Sequence, residues 1–176
     1  MLWCSLVVLK VIHEFGHAYA CKRFGGAVPD MGIALIFLTP CAYVDANSSW
    51  TFPSRWQRIV VAMGGMYVES FVAGTFALLW AGTQQGFCHD LARNVVVMAS
   101  VTTVLVNINP LMKYDGYYVF SDLLGLVNLQ QRATQLISGL ANHVILGLPR
   151  PRLAYSRSET ILYGLYAPMT LCYRIA

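Results

Sequence analysis

The sequence predicts an all-α protein, a polytopic bundle of membrane helices whose third helix is broken, and three observations carry that expectation. Hydrophobic residues make up 57% of the 176 positions and charged residues only 11%, less than half the roughly 25% charged share of a soluble domain. Three apolar stretches, 2–21, 59–82 and 95–126, reach the roughly 20 residues a helix needs to cross a bilayer. The first and third also hold polar residues in their interior, where polarity is most costly in lipid. The net charge of +4 is small, and the basic residues sit beside apolar runs rather than in one stripe, so the expected surroundings are a lipid bilayer and no nucleic acid.

Each element follows from its own residues. Met1-Leu2-Trp3 brings no basic leader region, so the first run reads as a retained span rather than a cleavable signal. Residues 32–49 are rich in β-branched and aromatic side chains but contain Pro40, which rules out a continuous helix and favours a short β-hairpin or re-entrant strand pair. Asp45 at its polar end is expected to cap a turn. After the second span, a short loop carries His89, Asp90 and Arg93. The third span is interrupted at Pro110. Residues 136–148 are too few to span and are expected to be interfacial or re-entrant. A last apolar run begins near Thr160 and stops before a span would be complete, so the chain reads as a fragment of a longer protein. No repeat or linker divides it, and 1–176 is expected to form a single membrane-embedded core.

Lysine and arginine set the orientation, because they accumulate in cytoplasmic loops. Lys22, Arg23, Arg55 and Arg58 flank the first connection, and Arg132, Arg150, Arg152 and Arg157 follow the third span. Both regions are expected to face the cytoplasm, with His89 on the opposite side. Trp50, Trp56, Tyr117 and Tyr118 fit an aromatic belt at the interface. The five cysteines have no paired spacing, so no disulfide framework is expected.

The chemistry is concentrated in two places. His13-Glu14-Phe15-Gly16-His17 is an H-E-x-x-H motif. Residues four apart on a helix differ by about 40° around the axis and about 6 Å along it, so both imidazoles can reach one zinc ion. Glu14 beside them can accept a proton from water, the general-base role this motif serves in metalloproteases. Such polarity inside a span needs a functional reason. Cys21 continues the same face but lies about 12 Å from His13 along the helix, too far to share a metal whose ligands stand about 2 Å away. It reads as a small packing residue.

A third ligand is expected from the break in the third span, Asn107-Ile108-Asn109-Pro110-Leu111-Met112-Lys113-Tyr114-Asp115-Gly116. Pro110 removes a backbone donor and extends Asn109, and broken backbone at membrane depth is tolerated only where it is protein-buried or lines a wet cavity. Asp115 offers a carboxylate oxygen there, and Gly116 a tight turn. Depth agrees: His17 and His13 fall about 8–14 Å before the cytoplasmic end of the first span, and Asp115 lies similarly before the end of the third. His89 and His143 have no ligand partner at useful spacing.

HEFGH in the first span and N-x-x-P-x-x-x-x-D-G in the third resemble the site-2 protease family of intramembrane zinc metalloproteases, over roughly residues 1–120. The resemblance implies His13, His17 and Asp115 as Zn2+ ligands, Glu14 as the catalytic glutamate, and Asn107 as a residue that holds substrate or stabilises the oxyanion. CAYVDANSSW, GGMYVE and NPLMKYDGYY are most similar to the bacterial peptide zinc metalloprotease branch, some of whose members work with secretion or efflux machinery. It implies a multi-pass protein of the bacterial inner membrane whose active site lies towards the cytoplasm. The implied substrate is a membrane protein or a membrane-bound peptide. The rival is a non-hydrolytic zinc-binding scaffold or subunit of an export system. Three positions depart from the pattern: Tyr114 replaces a common leucine, Lys113 places a cation two residues from Asp115 and is expected to snorkel to the interface, and Glu69 stands where many relatives carry asparagine. Glu69 either tunes the site or a proton path, or packs in a hydrogen-bonded role.

Overall fold

The computed structural model describes residues 2–36, 39–147, 149 and 155–175. The chain forms two compact units, Met1–Leu123 and Leu124–Ala176. The first contains the helices α1 (Leu2–Arg23), α2 (Arg55–Gly82) and α3 (Phe87–Val101), the strands β1 (Met31–Ile36) and β2 (Thr39–Val44), and most of α4 (Asp115–Leu124). The second contains α5 (Leu129–Leu146) and α6 (Arg157–Ile175).

In the first unit α1 ends as its sequence dictates. Lys22 and Arg23 occupy its last turn, where cations favour the helix dipole. Gly25 then turns left-handed at φ 81°, so its N–H reaches Lys22 O at 3.0 Å and that of Gly26 reaches Cys21 O at 3.0 Å. These two bonds make a Schellman end. The expected hairpin follows, with antiparallel register from Met31 opposite Val44 to Ile36 opposite Thr39. Pro40 is tolerated because a two-stranded sheet has only edges. Asp45 accepts the Asn47 N–H at 3.0 Å, the turn its position predicts.

The pair α1 and α2 forms the spine. A Cβ on Gly64 would meet Gly16 O at 2.6 Å, and one on Gly16 would collide with Gly64 O, so the two backbones touch at these glycines. Cys21, fully buried, packs with Phe52 and Val61, as a packing residue should. At the far end Leu9 joins Val95 and Ala99 of α3.

Among the described helices one, α2, is long and apolar enough to cross a membrane; its 28 residues extend about 42 Å. The 22 residues of α1 also exceed a bilayer in length, but Lys10, His13, Glu14 and His17 dilute its apolarity. The third stretch begins earlier than expected, at Phe87, and its break has two parts. A π-helical segment, Thr102–Asn107, is closed by the Ile108 N–H on Thr103 O at 2.9 Å. An irregular turn follows, in which Asn109 Oδ1 accepts the Leu111 N–H at 2.9 Å, before α4 restarts at Asp115.

In the second unit α5 is a continuous helix of 18 residues, longer than the stretch from 136 suggests and without a re-entrant turn; Leu148 lies outside the described residues. α5 packs on α6. α6 starts at Arg157 because Ser156 and Glu159 form a capping box: Ser156 N–H donates to Glu159 at 2.7 Å and Glu159 N–H to Ser156 Oγ at 3.2 Å.

Two aromatic expectations divide. Trp56 is exposed, with Arg55 over its ring at 5.5 Å. Tyr117 is buried rather than interfacial and meets Tyr118 edge-on at 5.2 Å, because position 117 falls on the inward face of α4.

Candidate metal centre

Helical spacing on α1 puts the two histidine rings one turn apart, T-shaped at 4.8 Å between centroids. Their Nε2 atoms are 3.1 Å apart. Asp115, in the first turn of α4, brings Oδ2 to 2.9 Å from His13 Nε2 and 3.3 Å from His17 Nε2. Side chains from α1 and α4, nearly a hundred positions apart in the chain, therefore converge.

The outer edges of the rings fix what the inner edges present. His17 Nδ1 lies 2.8 Å from Val61 O, an acceptor only, so that nitrogen carries the proton. His13 Nδ1 lies 3.0 Å from the Glu69 carboxylate and is protonated for the same reason. A ring with its single proton on Nδ1 has a lone pair at Nε2 to offer a metal. Asp115 Oδ2 is buried and accepts no hydrogen bond. A cation shared by the two Nε2 atoms and Oδ2 would satisfy all three at once. Ligands about 2.0–2.1 Å from a tetrahedral zinc stand about 3.3 Å apart, close to the separations found. Donor types, spacing and the orphaned oxygen all fit zinc, with His13, His17 and Asp115 as the group that can hold it.

Backbone sterics shape this pocket. A Cβ on Gly65 would lie 2.5 Å from Nε2 of both histidines, so only glycine lets α2 pass there. Gly116, expected to serve a turn, instead sits inside α4, where a Cβ would collide with the Ile108 and Asn107 carbonyls. Its role is to let α4 close on the broken segment.

Glu14 opens onto a cleft of about 240 Å³ that also exposes His17 and Asp115. Trp50 and Tyr118 wall it, packed edge to face at 5.7 Å. Arg58 also lines it; its Nε donates to Asp122 Oδ1 at 2.8 Å and its Nη1 to Phe52 O at 2.9 Å. In the sequence Arg58 is a topology signal and Trp50 and Tyr118 fit a belt, because charge and aromaticity alone do not reveal which cleft they face.

Asn107 is buried, with Nδ2 3.0 Å from Glu69 Oε2 and 3.5 Å from His13 Nδ1. It therefore stands at the outer edge of His13, opposite the edge that faces Asp115. Glu69 is fully buried beneath it, and Lys10 Nζ lies 3.7 Å from its Oε2. Glu69 is thus both packed in a hydrogen-bonded role and in contact with His13. Its spacing from Gly65 was the available signal, since one turn along α2 keeps it on the face that meets α1. Lys113 is exposed. His89 is satisfied locally, accepting from Trp80 Nε1 at 3.0 Å and donating to Thr83 O at 3.1 Å.

The sequence model of the family described as Peptidase family M50 matches residues 1–146, which takes in every residue of this centre. The chain is 31% identical over 130 residues to the "Putative peptide zinc metalloprotease protein YydH" of Bacillus subtilis (strain 168). The alignment covers 71% of this chain and 50% of that protein, so the chain spans about half the length of the curated relative it matches. No solved structure matches it.

Proposed function

The chain belongs to peptidase family M50, and from that membership we propose that it is the core of an intramembrane zinc metalloprotease that hydrolyses peptide bonds of a membrane protein or membrane-bound peptide. The single observation that carries the reading is the convergence of His13, His17 and Asp115 with Glu14 open to the same cleft. A purely structural zinc site has no use for a base beside its ligands, which weighs against the scaffold reading. Membrane residence is supported by α2 and by the large apolar side chains exposed along the helices, among them Tyr67, Phe71, Leu78 and Val104, a surface suited to lipid. On this reading the helices cross the bacterial inner membrane several times and the centre lies towards the cytoplasm.

Zinc, when bound, supplies a Lewis acid that makes water nucleophilic at neutral pH and polarises the scissile carbonyl. Glu14 takes the proton of the attacking water and returns it to the departing amine nitrogen. His13, His17 and Asp115 hold their three donors in place, each ring locked by its Nδ1 bond. Trp50 and Tyr118 confine an unwound substrate segment over the centre, since a peptide still in its helix keeps its carbonyls occupied.

Glu14→Gln tests the proposal. The variant is expected to keep its zinc, because Glu14 is not a ligand, and to lose cleavage of a membrane-inserted substrate by roughly 10²–10⁴-fold. Zinc content and cleavage are measured on one preparation. Wild-type cleavage in the zinc-loaded variant would remove the mechanism, and no cleavage by either protein across a broad substrate panel would favour the scaffold.

A further inference from the structure

We propose that Glu69, Thr102 and Asn107 form a buried positioning cluster that fixes the tautomer of His13, and that Asn107 acts through Glu69 rather than on substrate. The inference rests on the zinc reading above and adds residues to it. Thr102 and Asn107 are five residues apart, and on an α-helix that spacing sets them about 140° apart around the axis. Yet both donate to the one Glu69 carboxylate, Thr102 through its hydroxyl to Oε1 and Asn107 through Nδ2 to Oε2 at 3.0 Å. The π-helical segment makes this possible: its wider turn, closed by Ile108 N–H on Thr103 O at 2.9 Å, returns the chain to the same face after five residues.

The bonding around Glu69 is nearly saturated. Oε2 takes the Asn107 amide and His13 Nδ1, each at 3.0 Å, with Lys10 Nζ at 3.7 Å. A fully buried carboxylate is tolerated only when so surrounded. With both oxygens engaged, Glu69 cannot rotate away from His13, and the His13 proton stays on Nδ1. The lone pair at Nε2 is therefore always presented to the metal. A carboxylate behind a ligating histidine also raises the basicity of the ring. Asparagine at position 69 would offer a neutral oxygen, so the departure at this position strengthens the support behind one ligand.

The cluster is tested by the zinc affinity of the full chain in detergent, measured by competition with a chromophoric chelator, with thermal unfolding followed alongside. Glu69→Gln, which keeps an acceptor but loses the charge, is expected to weaken zinc about tenfold, and Glu69→Leu about a hundredfold, within the range that loss of such partners causes. Thr102→Val, close in shape, removes one donor and is expected to weaken zinc several-fold even where Glu69→Leu fails to fold. Asn107→Ala is expected to weaken zinc about tenfold in the wild-type background and to have no further effect beside Glu69→Gln. Unchanged zinc affinity in Asn107→Ala with reduced cleavage would overturn the inference and return Asn107 to the substrate. Independent, additive losses in the Asn107→Ala, Glu69→Gln double variant would also overturn it. Wild-type protein that holds no zinc would instead remove the metal reading, and this cluster with it.

Discussion

Gly65→Ala probes the metal pocket without touching a ligand. The new Cβ would stand 2.5 Å from Nε2 of His13 and of His17, about 1 Å inside ordinary carbon–nitrogen contact. The helices cannot simply part to make room, because α1 and α2 already meet backbone to backbone at Gly16 and Gly64, one residue away. Nor can the rings swing freely, since their Nδ1 atoms are bonded at 2.8 and 3.0 Å. Overpacking of one methyl in such a place costs about 1–3 kcal/mol. Taken from the bound state, that is roughly a 5- to 150-fold loss of zinc affinity at about 1.4 kcal/mol per tenfold. Chelator competition on detergent-solubilised protein measures it. Gly74→Ala on the same helix is the control: nothing lies within 4 Å of its Cβ position, so alanine there is expected to leave zinc alone and to stabilise the helix by about 0.5–1 kcal/mol. Gly65→Ala protein that binds zinc as tightly as Gly74→Ala would refute the steric account of the pocket.

Two further outcomes are expected. Asp115→Asn should lose zinc on dialysis while Lys113→Ala keeps it, because only the first removes a ligand charge; equal retention in wild type and Asp115→Asn would send the search to another third ligand. A reporter cysteine at position 89, in a background cleared of Cys88, should label from the side opposite to reporters at positions 22 and 132. Labelling of position 89 from the cytoplasmic side would overturn the proposed orientation.

How much of this was legible depended on whether the signal was periodic. His13 and His17 were readable because four residues on a helix leave little choice of direction. Asp115 was readable because Pro110 forces a break, and a break among apolar residues marks a place worth examining. The hairpin was readable from composition despite Pro40, which proved compatible with an edge. The direction of Asn107 was not readable: the π turn inserts a residue into the count, so helical faces extrapolated from Val95 onwards point the wrong way by the time the chain reaches 107. Tyr117 shows the same limit, since the face of α4 depends on where the helix restarts after an irregular turn. The partly buried ion pair of Arg58 and Asp122, 64 positions apart, carries no local pattern at all.

The touching backbones at Gly16 and Gly64 make a fulcrum. If α2 rocks against α1 by about 10° around that point, displacement grows with distance along the axis at about 1.5 Å per residue. Gly65 moves by about 0.3 Å, while Leu78, about 21 Å away, moves by nearly 4 Å. Gly65, which shapes the metal pocket, would therefore shift more than ten times less than Leu78, and Glu69, five residues from the contact, would shift by about 1.3 Å.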